Sequence, residues 1–210
     1  MALPKLKLTY FKLRGLGEPI RLILLAANVD FEDNRIDFTE WETLKSTVPG
    51  GKLPILECTK SGKTTVYTES LAIARMLARK HNMMGNTDEE YYEIERVIGQ
   101  CVDINREMLS VYRASGEEKV KILQAFREES GPRLLTLICE QLDSSSSGLV
   151  AGSTPSLGDL VIICCTDQVE VVLPGFIGEK FPTIQKHRAL VLKHCPRLAE
   201  YLNTRESYPI

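Results

Sequence analysis

The chain has 210 residues, of which 43% are hydrophobic and 26% are charged. This composition is ordinary for a globular protein with a buried core, and the length fits one large domain or two small ones. The net charge of −2 argues against a general nucleic-acid binder, and no apolar run is long enough to span a bilayer. The first residues show no pattern of a secretory signal.

The six cysteines do not have the arrangement of a disulfide framework or a zinc site. Four are isolated in the sequence, whereas Cys164 and Cys165 are neighbours inside an apolar run. None has the spacing to a histidine or to a second cysteine that a zinc site requires. We therefore expect small buried hydrophobic side chains in a reducing compartment, which predicts a cytoplasmic location.

The first part of the chain predicts strands that alternate with helices. Leu6, Leu8 and Tyr10 alternate with polar residues, which is the period of a half-buried strand. We predict strands over 5–10, 31–36, 53–58 and 64–67 and helices from Glu18-Pro19 and over 70–82. This order, β-α-β followed by β-β-α, is that of a thioredoxin-like domain.

Helical periodicity dominates from residue 88 onward. We predict helices over about 89–113, 117–142, 156–173, 183–194 and 196–203. We predict a linker over residues 84–87, and Ser156 with Asp159 fits a capping box. The predicted fold is therefore an α/β thioredoxin-like N-terminal domain, residues 1–83, followed by an all-α helical domain, residues 88–210.

Several short motifs, taken in order, resemble cytosolic glutathione transferases. They are Tyr10-Phe11, Arg14-Gly15, Glu18, Arg21, Trp41, Lys45, Leu53-Pro54, Glu69-Ser70, Gly99-Gln100, Asp103 and residues 155–159. The closest likeness is to the sigma class, particularly its flatworm members, and it covers essentially the whole chain. The resemblance implies that residues 1–83 bind glutathione and that residues 88–210 contribute a hydrophobic substrate site. It also implies conjugation of glutathione to small hydrophobic electrophiles, a detoxification activity.

The resemblance implies that Tyr10 is catalytic. The first domain carries no Cys-x-x-Cys motif, so the reactive sulfur has to come from the ligand. A free thiol has a pKa near 8.5, so only about 3% is thiolate at pH 7. A hydrogen bond donated by the Tyr10 hydroxyl would favour the thiolate without a separate base. Taken alone, Tyr10 would read as a packed residue at a strand end.

The resemblance also implies a set of glutathione-binding residues. The set is Tyr10, Trp41, Lys45, Leu53, Pro54, Glu69, Ser70 and Asp103. A cis bond before Pro54 would let the backbone of Leu53 pair with the cysteinyl residue of the ligand. Trp41 and Lys45 would hold the glycyl carboxylate, and Ser70 at a helix start would hold the γ-glutamyl carboxylate.

Glu69 would meet the ligand's amino group, together with Asp103 from the second subunit of a homodimer. Taken singly, each member of the set also reads as a helix cap, a surface charge or a core residue.

The electrophile site is expected between the two domains. Its candidate residues, each of which also reads as core, are Phe11, Leu16, Met108, Tyr112, Val161, Cys165 and the tail Tyr208-Pro209-Ile210. Many sigma members carry an arginine, thought to assist thiolate stabilisation, where this chain has Leu16. Mu-class relatives also have leucine there, and Arg14 matches the preceding family arginine.

Vertebrate sigma relatives that isomerise prostaglandin H use the missing arginine and an aromatic residue near Val161. The resemblance therefore implies prostaglandin-H D-isomerase or peroxidase activity only as a side activity. The aspartate trio that those relatives link to a metal is incomplete, because Gly99 and Val102 stand beside Asp103. We predict no metal and no cofactor beyond the co-substrate glutathione.

Two functions from different classes stay open. The first is a homodimeric glutathione transferase, which the presence of Tyr10, Pro54, Glu69 and Ser70 favours. The second is a non-catalytic member of the same fold, a crystallin-like or ligand-carrying protein, which Leu16 leaves open. The three histidines, at positions 81, 187 and 194, are expected at the surface or at helix ends.

Overall fold

The computed structural model describes residues 3–206, and their contacts divide into two compact units. The first unit contains residues 3–81 and 195–206, and the second contains residues 82–194. The sequence-based division placed everything after residue 88 in the helical domain. In the structure the last helix belongs to the first unit, because its side chains hydrogen-bond there.

The first unit is built on a mixed four-stranded sheet. Its strands are β1 (Lys5–Phe11), β2 (Glu32–Ile36), β3 (Ile55–Lys60) and β4 (Lys63–Tyr67). Their order in the sheet is β2-β1-β3-β4, with β1 parallel to β2 and antiparallel to β3. Its helices are α1 (Glu18–Ala26), α2 (Phe38–Leu44), α3 (Ser70–Lys80) and α10 (Pro196–Thr204). This arrangement confirms the predicted thioredoxin-like fold.

The core of this unit follows the periodicity of the sequence. Leu6, Leu8 and Tyr10 of β1 are buried, as their alternation predicts. Helix α1 is apolar on nearly every side, and it packs against α3 and α10. Ser61 and Gly62 form the turn between β3 and β4, both with positive φ.

Helix α2 was not predicted from the sequence. Its first turn is held by a capping box, in which the Thr39 and Glu40 N–H groups donate to Asp37 Oδ1 at 3.0 and 2.9 Å. The Asp37 N–H in turn donates to Glu40 Oε2 at 2.8 Å. None of the helix's own residues is buried, so no apolar stripe marks it in the sequence.

The second unit is all-helical. Its helices are α4 (Asp88–Arg113), α5 (Gly116–Ala125), α6 (Gly131–Ser144), α7 (Leu157–Val172), α8 (Phe176–Lys180) and α9 (Pro182–His194). The predicted helix over 117–142 corresponds to α5 and α6, joined by a π-helical segment over 126–130. The short helix α8 was not predicted. Among the described residues no helix combines the length and the apolar character needed to cross a membrane.

A buried carboxylate organises the start of α7. The Asp159 carboxylate accepts hydrogen bonds from the Ser156 N–H at 2.7 Å and the Val150 N–H at 2.8 Å, which confirms the predicted capping box. His187 was expected at the surface or at a helix end, and that prediction is wrong. Its side chain is buried, and its Nε2 lies 2.8 Å from Asp159 Oδ1, because the carboxylate needs an internal partner.

Candidate active site

A groove in the first unit brings together residues from three separate parts of the chain. It has a volume of about 390 Å³ and is lined by Leu16, Pro49, Gly50, Lys52, Leu53, Pro54, Thr68, Glu69 and Ser70. The peptide bond between Leu53 and Pro54 is cis, which confirms the expected conformation. Four residues of the predicted glutathione set therefore line one groove: Leu53, Pro54, Glu69 and Ser70.

The Tyr10 hydroxyl lies at the Leu16 end of this groove. Tyr10 is 7% exposed, and its oxygen accepts a hydrogen bond from the Leu16 N–H at 3.2 Å. Burial raises the pKa of Tyr10, although the Leu16 hydrogen bond and the Arg21 charge act in the opposite direction. The phenol therefore keeps its proton at neutral pH and can donate it in a hydrogen bond.

Two glycines leave room for the Tyr10 side chain. A Cβ atom on Gly15 would lie 2.7 Å from the Tyr10 hydroxyl oxygen, and one on Gly17 would lie 2.8 Å from Cδ1 of the ring. Both distances are shorter than van der Waals contact, so any larger residue would displace the ring. In the sequence, Gly15 is recognisable only as part of a family motif, and Gly17 was not predicted. Two glycines on either side of Leu16 could have indicated that a bulky side chain packs closely against this segment.

The opposite end of the groove is the start of helix α3. Glu69 precedes the helix with a φ of +67°, a conformation that few residues other than glycine adopt. The Glu69 side chain makes no capping hydrogen bond, so the N-cap residue leaves the first N–H groups of the helix without a side-chain acceptor. A half-buried Ser70 hydroxyl lies beside them. A helix start of this kind favours a bound anion such as a carboxylate.

Trp41 and Lys45 of the predicted set belong to α2 and its end, and they do not line the groove. Trp41 packs edge-on against Phe11 with ring centroids 5.8 Å apart. Lys45 is exposed, and its Cγ lies 3.7 Å from the position of a Cβ on Gly51. Lys52 and Thr68 do line the groove but were not predicted as site residues. The position of Lys52 directly before Leu53-Pro54 was the available signal.

The electrophile candidates fall into two groups. Phe11 and Tyr112 are half-buried, and Leu16 is 58% exposed, so these three offer surface to a ligand. Met108, Val161 and Cys165 are buried in the core of the second unit, where helices α4 and α7 pack together. For these three the core alternative holds, because a fully packed side chain has no surface for a ligand. The tail at 208–210 lies outside the described residues.

Asp103 lies on α4 in the second unit. Its side chain is exposed and accepts a hydrogen bond from Arg106 Nη1 at 3.0 Å. All six cysteines are free, and in residues 3–206 no cluster of three or more His, Cys, Asp or Glu side chains is suited to a metal ion. His81 is half-buried and its pKa is lowered, first by burial and then by Lys80.

Comparison with known domains and sequences identifies the family. Residues 6–79 match the domain described as "Glutathione S-transferase, N-terminal domain", and residues 102–205 match "Glutathione S-transferase, C-terminal domain". The chain is 46% identical over 202 residues to the "Glutathione S-transferase class-mu 28 kDa isozyme" of Schistosoma japonicum. The alignment covers 96% of this chain and 98% of that protein.

Solved structures show the same likeness. The "Fasciola hepatica sigma class GST" superposes with a TM-score of 0.94 at 45% identity, over 99% of both chains. The "prostaglandin synthase D of Nilaparvata lugens" superposes with a TM-score of 0.82 at 31% identity, over 96% of this chain and 98% of that one. With both domains matched and the similarity running nearly end to end, the chain belongs to the glutathione S-transferase family and is a glutathione transferase.

Proposed function

We propose that this enzyme binds glutathione in the groove of the first unit and conjugates it to small hydrophobic electrophiles, as a sigma-class detoxification transferase. The observation that carries the proposal is the state of the Tyr10 hydroxyl. Its oxygen already accepts the Leu16 N–H at 3.2 Å, which leaves its own proton for a ligand sulfur. Because the pKa of Tyr10 is raised by burial, the phenol acts as a hydrogen-bond donor rather than as a base.

The reaction then needs no cofactor beyond glutathione. A hydrogen bond to a charged acceptor is worth about 1.5–3 kcal/mol, which lowers the thiol pKa by about one to two units. The thiolate fraction at pH 7 would rise from about 3% to roughly 25–80%. The thiol proton goes to solvent, the sulfur forms a bond to the electrophilic carbon, and the leaving group departs with its electron pair.

The ligand's polar groups have partners along the groove. We assign the γ-glutamyl carboxylate to Ser70 and the first N–H groups of α3, and the amino group to Glu69. The backbone of Leu53 would pair with the cysteinyl residue. The glycyl carboxylate would lie near Lys52, which lines the groove beside Leu53. Lys52 thereby joins Trp41 and Lys45 as a proposed partner of that carboxylate.

The proposal includes a homodimer in which Asp103 reaches the neighbouring glutathione site. It places the electrophile beside Phe11 and Leu16, whose exposed surface lies next to Tyr10 in sequence and in space. A cytoplasmic location is proposed from the pattern of six free cysteines.

The proposal is tested by turnover with a chromogenic aryl halide and a panel of other electrophiles. We expect Tyr10→Phe to lower kcat/KM at pH 7 by roughly 8- to 25-fold, because the thiolate fraction of bound glutathione would fall from roughly 25–80% to about 3%. Binding to immobilised glutathione should persist, because the groove residues are unchanged. Equal turnover in the variant would remove Tyr10 from the mechanism.

A second candidate activity is the isomerisation of prostaglandin H to its D form. The likeness to the prostaglandin synthase D of Nilaparvata lugens favours it. Leu16 and Val161 replace the arginine and the aromatic residue of the vertebrate isomerases, so we expect this activity to be slower than conjugation. Product analysis with prostaglandin H and glutathione tests it, and a peroxide in place of prostaglandin H tests peroxidase activity.

A further inference from the structure

We propose that the last helix, α10, positions the Tyr10 hydroxyl through a closed ring of hydrogen bonds centred on the buried side chains of Glu18 and Arg21. Tyr201 and Arg205 would be positioning residues that act on Tyr10 through Glu18, Arg21 and the loop before α1. This inference rests on the proposed role of Tyr10 in activating the glutathione thiol.

The first step is the connection between Tyr10 and Arg21. The Tyr10 oxygen is held by the N–H of Leu16, which belongs to a short 3₁₀ turn over Gly15–Gly17. Arg21 Nη1 donates to the carbonyl oxygens of Leu13 at 3.1 Å and Arg14 at 3.3 Å, directly before that turn. The guanidinium therefore fixes the loop that carries the Leu16 N–H.

The second step is the connection between Arg21 and two carboxylates. Arg21 is fully buried, and its Nη1 also donates to Glu18 Oε2 at 3.1 Å. Its Nε donates to both oxygens of Asp33 on β2, at 2.9 and 3.0 Å. The contact between Arg21 and Glu18 is the geometrically demanding one, because both side chains are buried and water cannot replace either partner if it moves.

The third step reaches α10. The Tyr201 hydroxyl donates to the Glu18 carboxylate, 3.1 and 3.2 Å from its two oxygens, and Arg205 Nη1 donates to Glu18 Oε1 at 2.7 Å. The Tyr201 oxygen accepts from Arg35 Nη2 at 3.0 Å, and Arg35 Nε donates to Asp33 Oδ2 at 2.8 Å. Because Asp33 also accepts hydrogen bonds from Arg21 Nε, these contacts form a closed ring.

The ring has the properties of a positioning device. Burial, with the Glu18 charge as the next cause, raises the pKa of Tyr201 to about 12, so its phenol remains a donor at neutral pH. Glu18 is 2% exposed and has three donors from different parts of the chain: Arg21, Tyr201 and Arg205. A shift of α10 would therefore be transmitted through Glu18 to Arg21 and to the Leu13–Gly17 loop.

The test is the ionisation of enzyme-bound glutathione, followed by the ultraviolet absorbance of the thiolate as pH is varied. Tyr201→Phe and Arg205→Met remove two separate members of the network at its α10 end. We expect each to raise the apparent pKa of the bound thiol by about half a unit to one unit, a threefold to tenfold change in its ionisation constant. Glutathione affinity should change by less than about twofold, because neither residue lines the groove.

The matched control is Arg197→Met in the same helix. Arg197 Nη2 lies 2.8 Å from Asp30 Oδ1 in an exposed pair that has no part in the ring. We expect this variant to leave the thiol ionisation as in the parent enzyme. A purely structural role of the ring would lower the melting temperature of Tyr201→Phe while its bound thiol titrates as in the parent, and that result would overturn the inference.

Tyr10→Phe measured in parallel separates the two claims. A shifted thiol in Tyr10→Phe with an unshifted thiol in Tyr201→Phe contradicts only the role of α10. An unshifted thiol in Tyr10→Phe contradicts the proposed function itself.

Discussion

At the scale of single residues, the space around Tyr10 is set by Gly17. This glycine has an ordinary helical conformation, with φ of −78°, so alanine there is excluded by contact rather than by backbone strain. Gly17→Ala would place a Cβ 2.8 Å from Cδ1 of Tyr10. We expect the ring to move, with a loss of kcat/KM on the order of tenfold to a hundredfold and a destabilisation of about 1–3 kcal/mol. Turnover with the aryl halide and urea unfolding measure the two effects.

Gly99 provides the matched stability control. It lies inside helix α4, and a Cβ there would meet no described atom within 4 Å. The same substitution, Gly99→Ala, should raise the free energy of unfolding by up to about 1 kcal/mol, because alanine favours the helix. If Gly17→Ala behaved like Gly99→Ala, the close packing on Tyr10 would have no consequence.

The residue scale also shows what the sequence could not reveal. Glu18 and Arg21 were recognised as family motif positions, but nothing in their spacing indicated burial. Charged residues are seldom fully buried unless they are paired, and the partners of these two lie on β2 and α10, far away in the sequence. The same holds for His187, whose partner Asp159 lies 28 positions away. Periodicity describes one element at a time and does not identify such pairs.

At the scale of elements, the start of α7 depends on one carboxylate. Asp159 is fully buried and accepts hydrogen bonds from Val150, Ser156 and His187. Asp159→Ala would leave these donors buried without a partner. We expect it to lower the free energy of unfolding by about 3–5 kcal/mol, measured by urea denaturation.

The capping box at the start of α2 is the exposed counterpart of the buried Asp159 capping box at the start of α7. Asp37 holds the N–H groups of Thr39 and Glu40 in the same way, but water can replace it. Asp37→Ala should therefore cost clearly less stability than Asp159→Ala. Equal costs would show that burial is not what makes the Asp159 contacts important.

The attachment of α10 predicts a dependence of stability on alkaline pH. The pKa of Tyr201 is raised from 10.0 in the unfolded chain to about 12 in the folded state. The unfolded chain thus loses this proton at lower pH than the folded protein. The contribution of Tyr201 to the free energy of unfolding is therefore fully present below pH 10 and is lost as pH rises toward about 12. Two units correspond to roughly 3 kcal/mol.

Urea unfolding across this pH range measures the effect. Tyr201→Phe should show a shallower decline than the parent enzyme. Tyr10, whose pKa is also raised, would account for part of the decline that remains. An identical decline in parent and variant would contradict the assigned environment of Tyr201.

Most elements could be predicted because their apolar residues recur with the period of a strand or a helix. The elements that were missed lack this signal: no residue of α2 is buried, and α8 has only five residues. The helix predicted over 117–142 contains a π-helical segment at 126–130, where the Gly131 N–H reaches back to the Phe126 carbonyl. A hydrophobic pattern cannot distinguish this segment from a continuous α-helix.

At the scale of the whole molecule, the proposed homodimer predicts complementation between two defective subunits. Glu69→Ala and Asp103→Ala should each weaken glutathione binding in their own homodimers. In a mixed dimer, one site would contain both changes and the other would contain neither. We expect half of the sites to regain the parent affinity, which isothermal titration of the purified mixed dimer would measure.

The same mixed dimer would show whether the proposed reach of Asp103 into the neighbouring site is wrong. If Asp103 acted within its own chain, every site would carry one defect and no site would recover. A monomer in sedimentation analysis would likewise contradict the dimer.

The order of the motifs along the chain was enough to predict the family and the two-part fold. It was not enough to predict the electrophile residues, because Met108, Val161 and Cys165 have the spacing of pocket residues and of core residues alike, and all three are buried. Local motifs predict groups that meet a ligand of fixed structure, such as glutathione. They do not predict a surface that depends on how side chains pack.

The measurement that tests the central claim most directly is the titration of the glutathione thiol bound to the parent enzyme and to Tyr10→Phe. We predict that the bound thiol in the parent enzyme ionises about one to two pH units below its free value near 8.5, and that Tyr10→Phe returns it close to that value. If the thiol ionised at the same pH in both proteins, the assignment of Tyr10 as the thiol-activating group would be contradicted.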